Sequence, residues 1–236
     1  MTFREMREHF FCLYGQRSRF FLPGARQRIE FLNLAIGDLQ DAIRKEYGLE
    51  IIGVALARIV ARIFCIAEHF WSSPLVEAII QKYPASHCSY CQNFPCKCVE
   101  KRPNVVLEPI SEIQLNWTLK QWQEHFAALY GERNRKKGIE NLLNRLFKEI
   151  TELLAFLIMI PLKRATIDEL EREIALELAD AIAWTIAIAN FFGIDLEKAV
   201  LTRYSKHCWK CYRIPCVCGN FSVQPVNWED YEVGQV

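Results

Sequence analysis

The stretch "ELADAIAWTIAIANFFG", residues 177–193, contains two acidic residues and no other charge. At 100° per residue, Glu177 and Asp180 fall on the same helical stripe as Trp184 and further large apolar side chains. An acidic pair on a helix usually faces solvent, but this stripe continues into residues typical of a core. Two buried carboxylates without partners would be costly, so we expect a cation or a proton beside them.

The composition is that of a helical globular protein. Of the 236 residues, 51% are hydrophobic, which is enough apolar surface for a core. Glycine and proline together number only 19, so few residues would interrupt helices. No stretch shows the alternation of a β-strand, and we expect an all-α fold. A net charge of +1 gives no sign of a polyanion-binding surface, so nucleic acid is an unexpected partner.

Neither the N-terminus nor the apolar stretches predict export or membrane insertion. Met1 is followed by charged residues instead of an apolar core, which argues against a signal peptide. The apolar stretch 51–71 has Arg58 and Arg62 at its centre, and the uncharged run after Asp180 is too short to span a bilayer. We therefore expect a cytoplasmic protein without a membrane partner.

The sequence contains a tandem duplication. "EHFFCLYGQRSR" (8–19) matches "EHFAALYGERNR" (124–135), and "HCSYCQNFPCKC" (87–98) matches "HCWKCYRIPCVC" (207–218). The two matches are in the same order, with offsets of 116 and 120 residues, so the two halves are nearly collinear.

The duplication predicts the domain organisation. We expect a first repeat at 1–100, a linker with two prolines at 101–117, a second repeat at 118–220 and a tail at 221–236. Each half is predicted to contain three helices, a shorter fourth helix and a cysteine-rich end. In the second half the helices are expected near 118–131, 138–160, 167–192 and 195–205. Pro161 ends the second of these, Gly193 precedes the fourth, and the first half has the corresponding second helix near 25–46.

A second acidic pair lies upstream of the first. Glu149 and Glu152 are also three residues apart, in "LFKEITELLAFL" (146–157), and their stripe continues into an apolar face. If the two helices pack antiparallel, four carboxylates converge, and such a cluster is repulsive unless it binds a hard divalent ion such as Mg²⁺ or Mn²⁺. Glu173, one turn before Glu177, is better explained as an ordinary exposed acid.

ExxE followed by ExxD on adjacent helices resembles the MazG-like all-α nucleoside triphosphate pyrophosphohydrolases. The surroundings are similar too: "LYGERNRKKG" (129–138) precedes the first pair, and "ELADAIAWTIAIANFFGIDLEKAV" (177–200) encloses the second. The resemblance covers roughly residues 118–218 and agrees over several segments in order. One departure is Lys148, which stands where many family members have another acid.

The resemblance implies a metal site and an activity in the second repeat. Glu149, Glu152, Glu177 and Asp180 would be the Mg²⁺ ligands, and one carboxylate, such as Glu152, would orient the attacking water. The implied reaction converts a (d)NTP and water into a (d)NMP and pyrophosphate by attack at the α-phosphorus. Candidate phosphate contacts are Lys148, Lys163, Arg164 and Arg203. The alternative is a non-catalytic MazG-like scaffold that binds a nucleotide or a partner and keeps structural zinc.

The first half retains only part of the acidic pattern. Asp38 and Asp41 correspond to the first acidic pair, but Leu56 and Ile59 align with the second. Arginines occur nearby on the same helix, and we hypothesise that Arg58 and Arg62 pair with the aspartates in place of a metal; exposure to solvent is the equal alternative.

Family members usually assemble as dimers or tetramers, so the resemblance implies an intramolecular pseudo-dimer of the four-helix-bundle type. It would contain one working site and one scaffolding site. Further pairing of two chains into a homodimer is left open.

Each half ends in four closely spaced cysteines. The sets are Cys88, Cys91, Cys96 and Cys98, and Cys208, Cys211, Cys216 and Cys218. The spacing C-x2-C-x4-C-x-C is typical of a closed tetrahedral zinc site, so we expect two structural Zn²⁺ ions. Free thiols, an iron–sulfur centre and disulfides are the alternatives. His87 and His207, which precede the sets, could replace one thiolate.

Four further residues are assigned to packing instead of chemistry. His9 and His125 occupy matching places in the repeat and are predicted to be packed helix residues. Cys12 and Cys65 lie among apolar residues and are predicted to be small core residues. The tyrosine of "YGERN" (130–134) could stack on a base, but core packing is the simpler interpretation.

Overall fold

The computed structural model describes residues 1–21, 24–69, 75–98, 105–159, 167–204, 207–208 and 211–218. These residues form an all-α protein with the element order α1 (Phe3–Phe21), α2 (Ala25–Arg44), α3 (Leu49–His69), α4 (Leu75–Lys82), α5 (Glu112–Leu115), α6 (Leu119–Met159), α7 (Ile167–Phe192) and α8 (Leu196–Tyr204). The described part has no β-strand, only an isolated antiparallel bridge between Thr2 and Thr118. The all-α prediction is confirmed.

In the first half, α2 begins after Gly24, whose N–H donates to the side chain of Gln27 at 3.1 Å and so satisfies one free amide of the first turn. The next helix, α3, is apolar on most of its surface and buries Leu56 and Ile59 completely. Because α3 is covered on several sides, it is a core helix of the molecule.

The two helices expected near 118–131 and 138–160 both lie within α6, which consists of two helical segments joined across a kink. Its helical geometry is interrupted at Gly138, which has φ 76° and ψ 166°. These angles are accessible almost only to glycine, so Gly138 ends the first helical segment of α6 and lets the chain turn into the second. Pro161, the expected helix end, lies outside the described residues.

Helix α7 carries Glu177 and Asp180 through the interior. Residues Leu170–Phe192 are long and apolar enough to cross a membrane, with a mean hydropathy of 1.5 in their most apolar window. However, 78% of that window is buried inside the protein, which is the environment of a core helix. Gly193, with φ 68°, ends α7, and the Asp195 carboxylate then accepts from the Lys198 N–H at 2.8 Å, as expected for an N-cap.

The two halves are interleaved. Helix α4 of the first half packs against α7 of the second, and α8 of the second half packs against α3 of the first. The cysteine-rich ends cross over as well: Cys96 donates its N–H to the Leu129 carbonyl at 2.9 Å, and Cys216 donates to the Leu13 carbonyl at 2.8 Å. Each half therefore contributes to the surroundings of the other half's helices.

The described part of the expected linker, 105–117, is attached to the first half. Val106 donates its N–H to the Ser89 carbonyl at 3.1 Å, and the side chain of Gln114 donates to the Tyr83 carbonyl at 2.9 Å. Gln114 belongs to α5, which the Ser111 hydroxyl caps. This segment thus supports the end of α4, where Tyr83 follows the helix.

Candidate metal centre

Three of the four predicted acidic ligands lie together. Glu149 on α6 and Glu177 and Asp180 on α7 each offer one carboxylate oxygen, and these oxygens all lie within 4.8 Å of one another. The convergence follows from packing, because α6 lies along α7 and the i, i+3 spacing directs the two α7 acids to the same face. Glu149 and Asp180 are buried, and Glu177 is partly buried. We call these three residues the acidic cluster.

A lysine and a tyrosine from the first half contact the acidic cluster. The Nζ atom of Lys82 lies 2.9 Å from Oδ2 of Asp180, and the Tyr83 hydroxyl donates to Oδ1 of the same carboxylate. Lys82 also donates to the Leu176 carbonyl at 3.3 Å. Both side chains are buried, because α4 is inserted against α7.

The sequence analysis did not identify Lys82 or Tyr83. The repeat does draw attention to these two residues. "KY" at 82–83 corresponds to "RY" at 203–204, and each pair stands shortly before its His-Cys sequence. That correspondence marks the pair as a common feature of the two halves. It does not reveal that the first pair reaches the other half's acids.

Glu149 and Glu152 have different surroundings. The indole N–H of Trp184 donates to Glu149 at 3.1 Å, which holds this carboxylate at the face of α7. Glu152 lies nearer the surface and is paired with Lys148 on the same helix. It is therefore at the edge of the acidic cluster instead of within the group of three.

Burial and mutual repulsion shift the pKa values of the two glutamates of the acidic cluster. Burial, and then the charge of Asp180, raises the pKa of Glu149 to about 9. Burial also raises the pKa of Glu177, and its Oε2 atom is buried without a hydrogen-bond partner among the described residues. For Glu152, partial burial acts to raise the pKa, but hydrogen bonds with Lys148 and Glu149 outweigh it, so the pKa is lowered.

The donor set fits a hard divalent cation. Carboxylate oxygens are the ligands preferred by Mg²⁺ and Mn²⁺, and a 2+ charge would relieve the repulsion that raises the pKa of Glu149. The free Oε2 atom of Glu177 is a ready ligand. Asp180 would have to exchange a contact with Lys82 or Tyr83 for the ion, since both its oxygens are engaged.

The four phosphate candidates are distributed differently. Lys148 lies beside the cluster but is half exposed and paired with Glu152. Arg203 is buried on α8, which packs mainly on α3. Lys163 and Arg164 lie outside the described residues. Glu173 is exposed, as expected.

An aromatic pocket adjoins the acidic cluster, and Tyr83 and Trp184, which donate hydrogen bonds to the cluster, are part of its lining. Its lining comes from both halves: Tyr83, Tyr90, Phe126, Tyr130, Arg133, Asn134, Ala183, Trp184 and Ala187. Tyr130, assigned to core packing, is largely buried and also lines this pocket. The Arg133 guanidinium lies over its ring, with Cζ 4.7 Å from the centroid. The pocket thus combines flat apolar walls with hydrogen-bond donors.

The first half replaces the acidic cluster with an ion pair. Arg58 donates to Asp38 at 2.6 Å, so half of the hypothesised arginine–aspartate pairing is present. Asp41 instead pairs with Arg44 on its own helix at 2.9 Å, and Arg62 lies over the Phe31 ring at 5.1 Å. Helix geometry explains why Asp41 pairs with Arg44. The two residues are three apart on the same exposed face of α2, so their side chains are neighbours.

Both sets of four cysteines come together as groups that could hold a metal ion. In each set the four Sγ atoms lie within 4.8 Å of one another. We call Cys88, Cys91, Cys96 and Cys98 the first cysteine cluster, and Cys208, Cys211, Cys216 and Cys218 the second. Backbone N–H groups donate to sulfur in the first cluster, at 3.3 Å from Lys97 to Cys91 and 3.5 Å from Cys98 to Cys96. Such donors stabilise thiolates in a closed site.

The histidines next to the clusters have other contacts. His87 hydrogen-bonds with the Ser86 hydroxyl at 2.8 Å, and the His207 ring packs at a tilt of 40° against the Tyr212 ring, with the centroids 5.0 Å apart. Neither is among the grouped potential metal ligands, which are four cysteines in each case.

The two repeat histidines are packed, as predicted. His9 hydrogen-bonds to the Tyr204 carbonyl, and burial lowers the pKa of His125 to about 4. The expectation for Cys12 is wrong: its side chain is exposed on the outer face of α1, because the apolar neighbours in sequence lie on other faces of the helix. Cys65 is half-buried, with its Sγ 3.3 Å from the Ser18 hydroxyl.

Comparison with protein-family models, curated proteins and solved structures found no match to this chain. The MazG-like resemblance therefore remains a prediction from the residues quoted above.

Proposed function

We propose that the protein is a Mg²⁺-dependent nucleoside triphosphate pyrophosphohydrolase, with one active site in the second half. It would convert a (d)NTP and water into a (d)NMP and pyrophosphate. The observation that carries this proposal is the convergence of Glu149, Glu177 and Asp180 beside an aromatic pocket. A hard-ion site suits a polyphosphate, and the pocket beside it has a volume of about 30 Å³, so its aromatic side chains would have to move apart to admit a base.

Each part of the site has a proposed role. Glu149, Glu177 and Asp180 would hold the ion, which would neutralise phosphate charge and acidify a bound water. Glu152, with a lowered pKa, is ionised and stands beside the cluster, suited to orienting the water. Lys148 and Lys82 bring positive charge to the same region, and the pocket at Tyr130 would receive the base.

The proposal extends to the architecture: the duplicated halves act as an intramolecular pseudo-dimer with one working site. Reciprocal contacts support it. The Cys96 N–H donates to the Leu129 carbonyl and the Cys216 N–H to the Leu13 carbonyl, and both the cysteines and the leucines occupy matching positions of the two halves. The Arg58–Asp38 pair would make the first half a scaffold. Each cysteine cluster would hold a structural Zn²⁺.

Pyrophosphate release from a panel of ribo- and deoxyribonucleoside triphosphates, with Mg²⁺ or Mn²⁺, tests the proposal. Glu177→Gln and Asp180→Asn each remove a ligand charge and should lower kcat at least about 100-fold, as losses of comparable transition-state stabilisation do. Glu173→Gln, which changes an exposed acid on the same helix, is the control and should leave kcat unchanged. A wild-type protein that releases no pyrophosphate from any member of the panel would disprove the activity.

A second candidate function is a non-catalytic nucleotide- or partner-binding scaffold. One observation favours it: both oxygens of Asp180 are already satisfied by Lys82 and Tyr83, much as Asp38 is satisfied by Arg58. On this alternative, nucleotides would bind in the pocket without Mg²⁺-dependent turnover. Equilibrium dialysis with a hydrolysis-resistant α,β-imido triphosphate, with and without Mn²⁺, separates the two functions.

A further inference from the structure

We propose that the metal held by the first cysteine cluster regulates the acidic site by positioning Arg133 in the aromatic pocket. The inference rests on the proposed function, since it concerns nucleotide binding at that site. It also makes the two cysteine clusters unequal: the first would control activity, and the second would only support the fold.

Arg133 connects the first cysteine cluster to the pocket directly. Its Nη1 donates to Sγ of Cys96 at 3.3 Å, so the guanidinium is held by a sulfur of the other half. The same guanidinium lies over Tyr130 at 4.7 Å and donates to the Asn134 side chain at 3.1 Å. Arg133, Tyr130 and Asn134 line the pocket, so a displacement of Cys96 removes the sulfur that holds Arg133 in the pocket wall.

The backbone around the cluster makes a second connection. Cys96 donates its N–H to the Leu129 carbonyl, one residue before Tyr130. On the other side of the loop, the Ser89 hydroxyl donates to the Lys82 carbonyl at 2.6 Å, and Tyr90 lines the pocket next to Tyr83. The loop that a metal would close therefore touches both the pocket and the end of α4.

The physical reason for regulation is cross-linking. Four sulfurs bound to one ion fix a loop of eleven residues, 88–98, that has no helix or strand of its own. Without the ion, hydrogen bonds and packing alone hold the loop, and Cys96 is less firmly fixed opposite Arg133. Arg133 then loses its sulfur partner and adopts other rotamers, and the pocket loses a preorganised donor.

The second cysteine cluster provides the comparison. Its backbone contact is from Cys216 to the Leu13 carbonyl on α1, so it lies against the first half. In the first half Asp38 is paired with Arg58, and Leu56 and Ile59 stand in place of the second acidic pair. The acidic cluster lies on α6 and α7 of the second half. We therefore expect the loss of a metal from the second cluster to leave the residues that line the pocket in place.

The experiment compares Cys91→Ser with Cys211→Ser, the matching positions of the two clusters. Zinc content is measured together with kcat and KM for pyrophosphate release, and with Mn²⁺ binding at the acidic cluster by electron paramagnetic resonance. We expect each variant to lose one zinc. Cys91→Ser should raise KM about tenfold, as the loss of a charged hydrogen bond does, with Mn²⁺ still bound. Cys211→Ser should change KM less than about twofold. Equal KM values in the two zinc-depleted variants would overturn the inference.

The variant Arg133→Met tests the contact between Arg133 and Cys96 without altering the cysteine loop. This variant should keep both zinc ions and still raise KM more than it lowers kcat, while Arg133→Lys should recover part of the loss. Lys136→Met, an exposed neighbour paired with Glu132, is the control on the same helix. If Arg133→Met has the KM of the wild type, the proposal is wrong. Turnover by the wild type tests the proposed function alone, whereas the difference between variants tests the regulation alone.

Discussion

The Nζ atom of Lys82 lies 2.9 Å from Oδ2 of Asp180, so a buried cation of the first half neutralises a buried acid of the second. Burial acts to lower the pKa of Lys82, but the Asp180 carboxylate outweighs it, and the pKa is raised. The ion pair therefore persists throughout the neutral range. The three acids of the cluster all belong to the second half, but the cation that neutralises Asp180 comes from the first.

Replacing Lys82 by methionine should destabilise the metal-free protein strongly. Removing one partner of a buried ion pair leaves an uncompensated charge, here on Asp180, and costs about 3–5 kcal/mol. Saturating Mg²⁺ should recover much of this loss, because the ion supplies the missing positive charge. Urea denaturation with and without Mg²⁺ measures both effects.

Lys148→Met is the control for this experiment, because the Lys148–Glu152 pair is half exposed and should contribute less than about 1 kcal/mol. A Lys82→Met protein as stable as the wild type without metal would contradict the assignment of a buried ion pair.

Binding of Mg²⁺ to the acidic cluster should release a proton. Because the pKa of Glu149 is raised from 4.5 to about 9, this carboxyl is protonated at neutral pH in the metal-free protein. A metal ligand must be ionised, so binding displaces about one proton and the affinity rises with pH up to about 9. Isothermal titration calorimetry in two buffers of different ionisation enthalpy counts the protons. Glu173→Gln, at an exposed position, should leave the count unchanged, and a count of zero would contradict the prediction.

The same shift predicts the pH dependence of stability without metal. The folded protein keeps the Glu149 proton at pH values where the unfolded chain, with a pKa of 4.5, has lost it. Stability therefore falls as the pH rises from about 5 to about 9, since the folded state binds more protons. Thermal unfolding across this range, compared with Glu149→Gln, checks the sign; the variant should show a flatter dependence.

Each cysteine cluster should hold one zinc and stabilise the fold. The expected content is two zinc ions per chain, and Cys88→Ser or Cys208→Ser should each remove one and lower the melting temperature, because the metal–thiolate bonds contribute to folding. Elemental analysis and thermal unfolding make the test. Cys12→Ser is the control, since Cys12 is exposed on α1 and should change stability by less than about 0.5 kcal/mol. A protein purified without zinc and unaffected by chelators would refute the prediction.

Gly138 should resist substitution although no atom crowds it. Its φ of 76° with ψ of 166° is a conformation of glycine, so Gly138→Ala should cost about 1–3 kcal/mol. Gly37, inside α2, also has open space around it but ordinary helical angles, and Gly37→Ala should instead stabilise by about 0.4–1 kcal/mol. Chemical denaturation of the two variants gives effects of opposite sign if the backbone, and not the space, limits position 138.

The sequence by itself determined the helical class and much of the acidic cluster. Apolar stripes at a period of 3.6 residues predict helices and the faces they bury, and the i, i+3 spacing of Glu177 and Asp180 places both acids on one such face. The cysteine spacing likewise predicts two four-thiol groups, because the ligands of each group are close in the chain. These are local relationships, which is why they can be read from one stretch at a time.

Tertiary structure alone decided how the halves combine. Tyr83 and Asp180 are 97 residues apart, and Arg133 and Cys96 are 37 apart, so no local pattern links them. Their contacts arise because α4 packs on α7 of the other half and the first cysteine cluster lies against α6. Each half could in principle have folded back on itself with the same local pattern. The choice between these packings depends on which apolar faces fit together. This fit involves side chains that are distant in the chain, so it is determined only when the core is assembled.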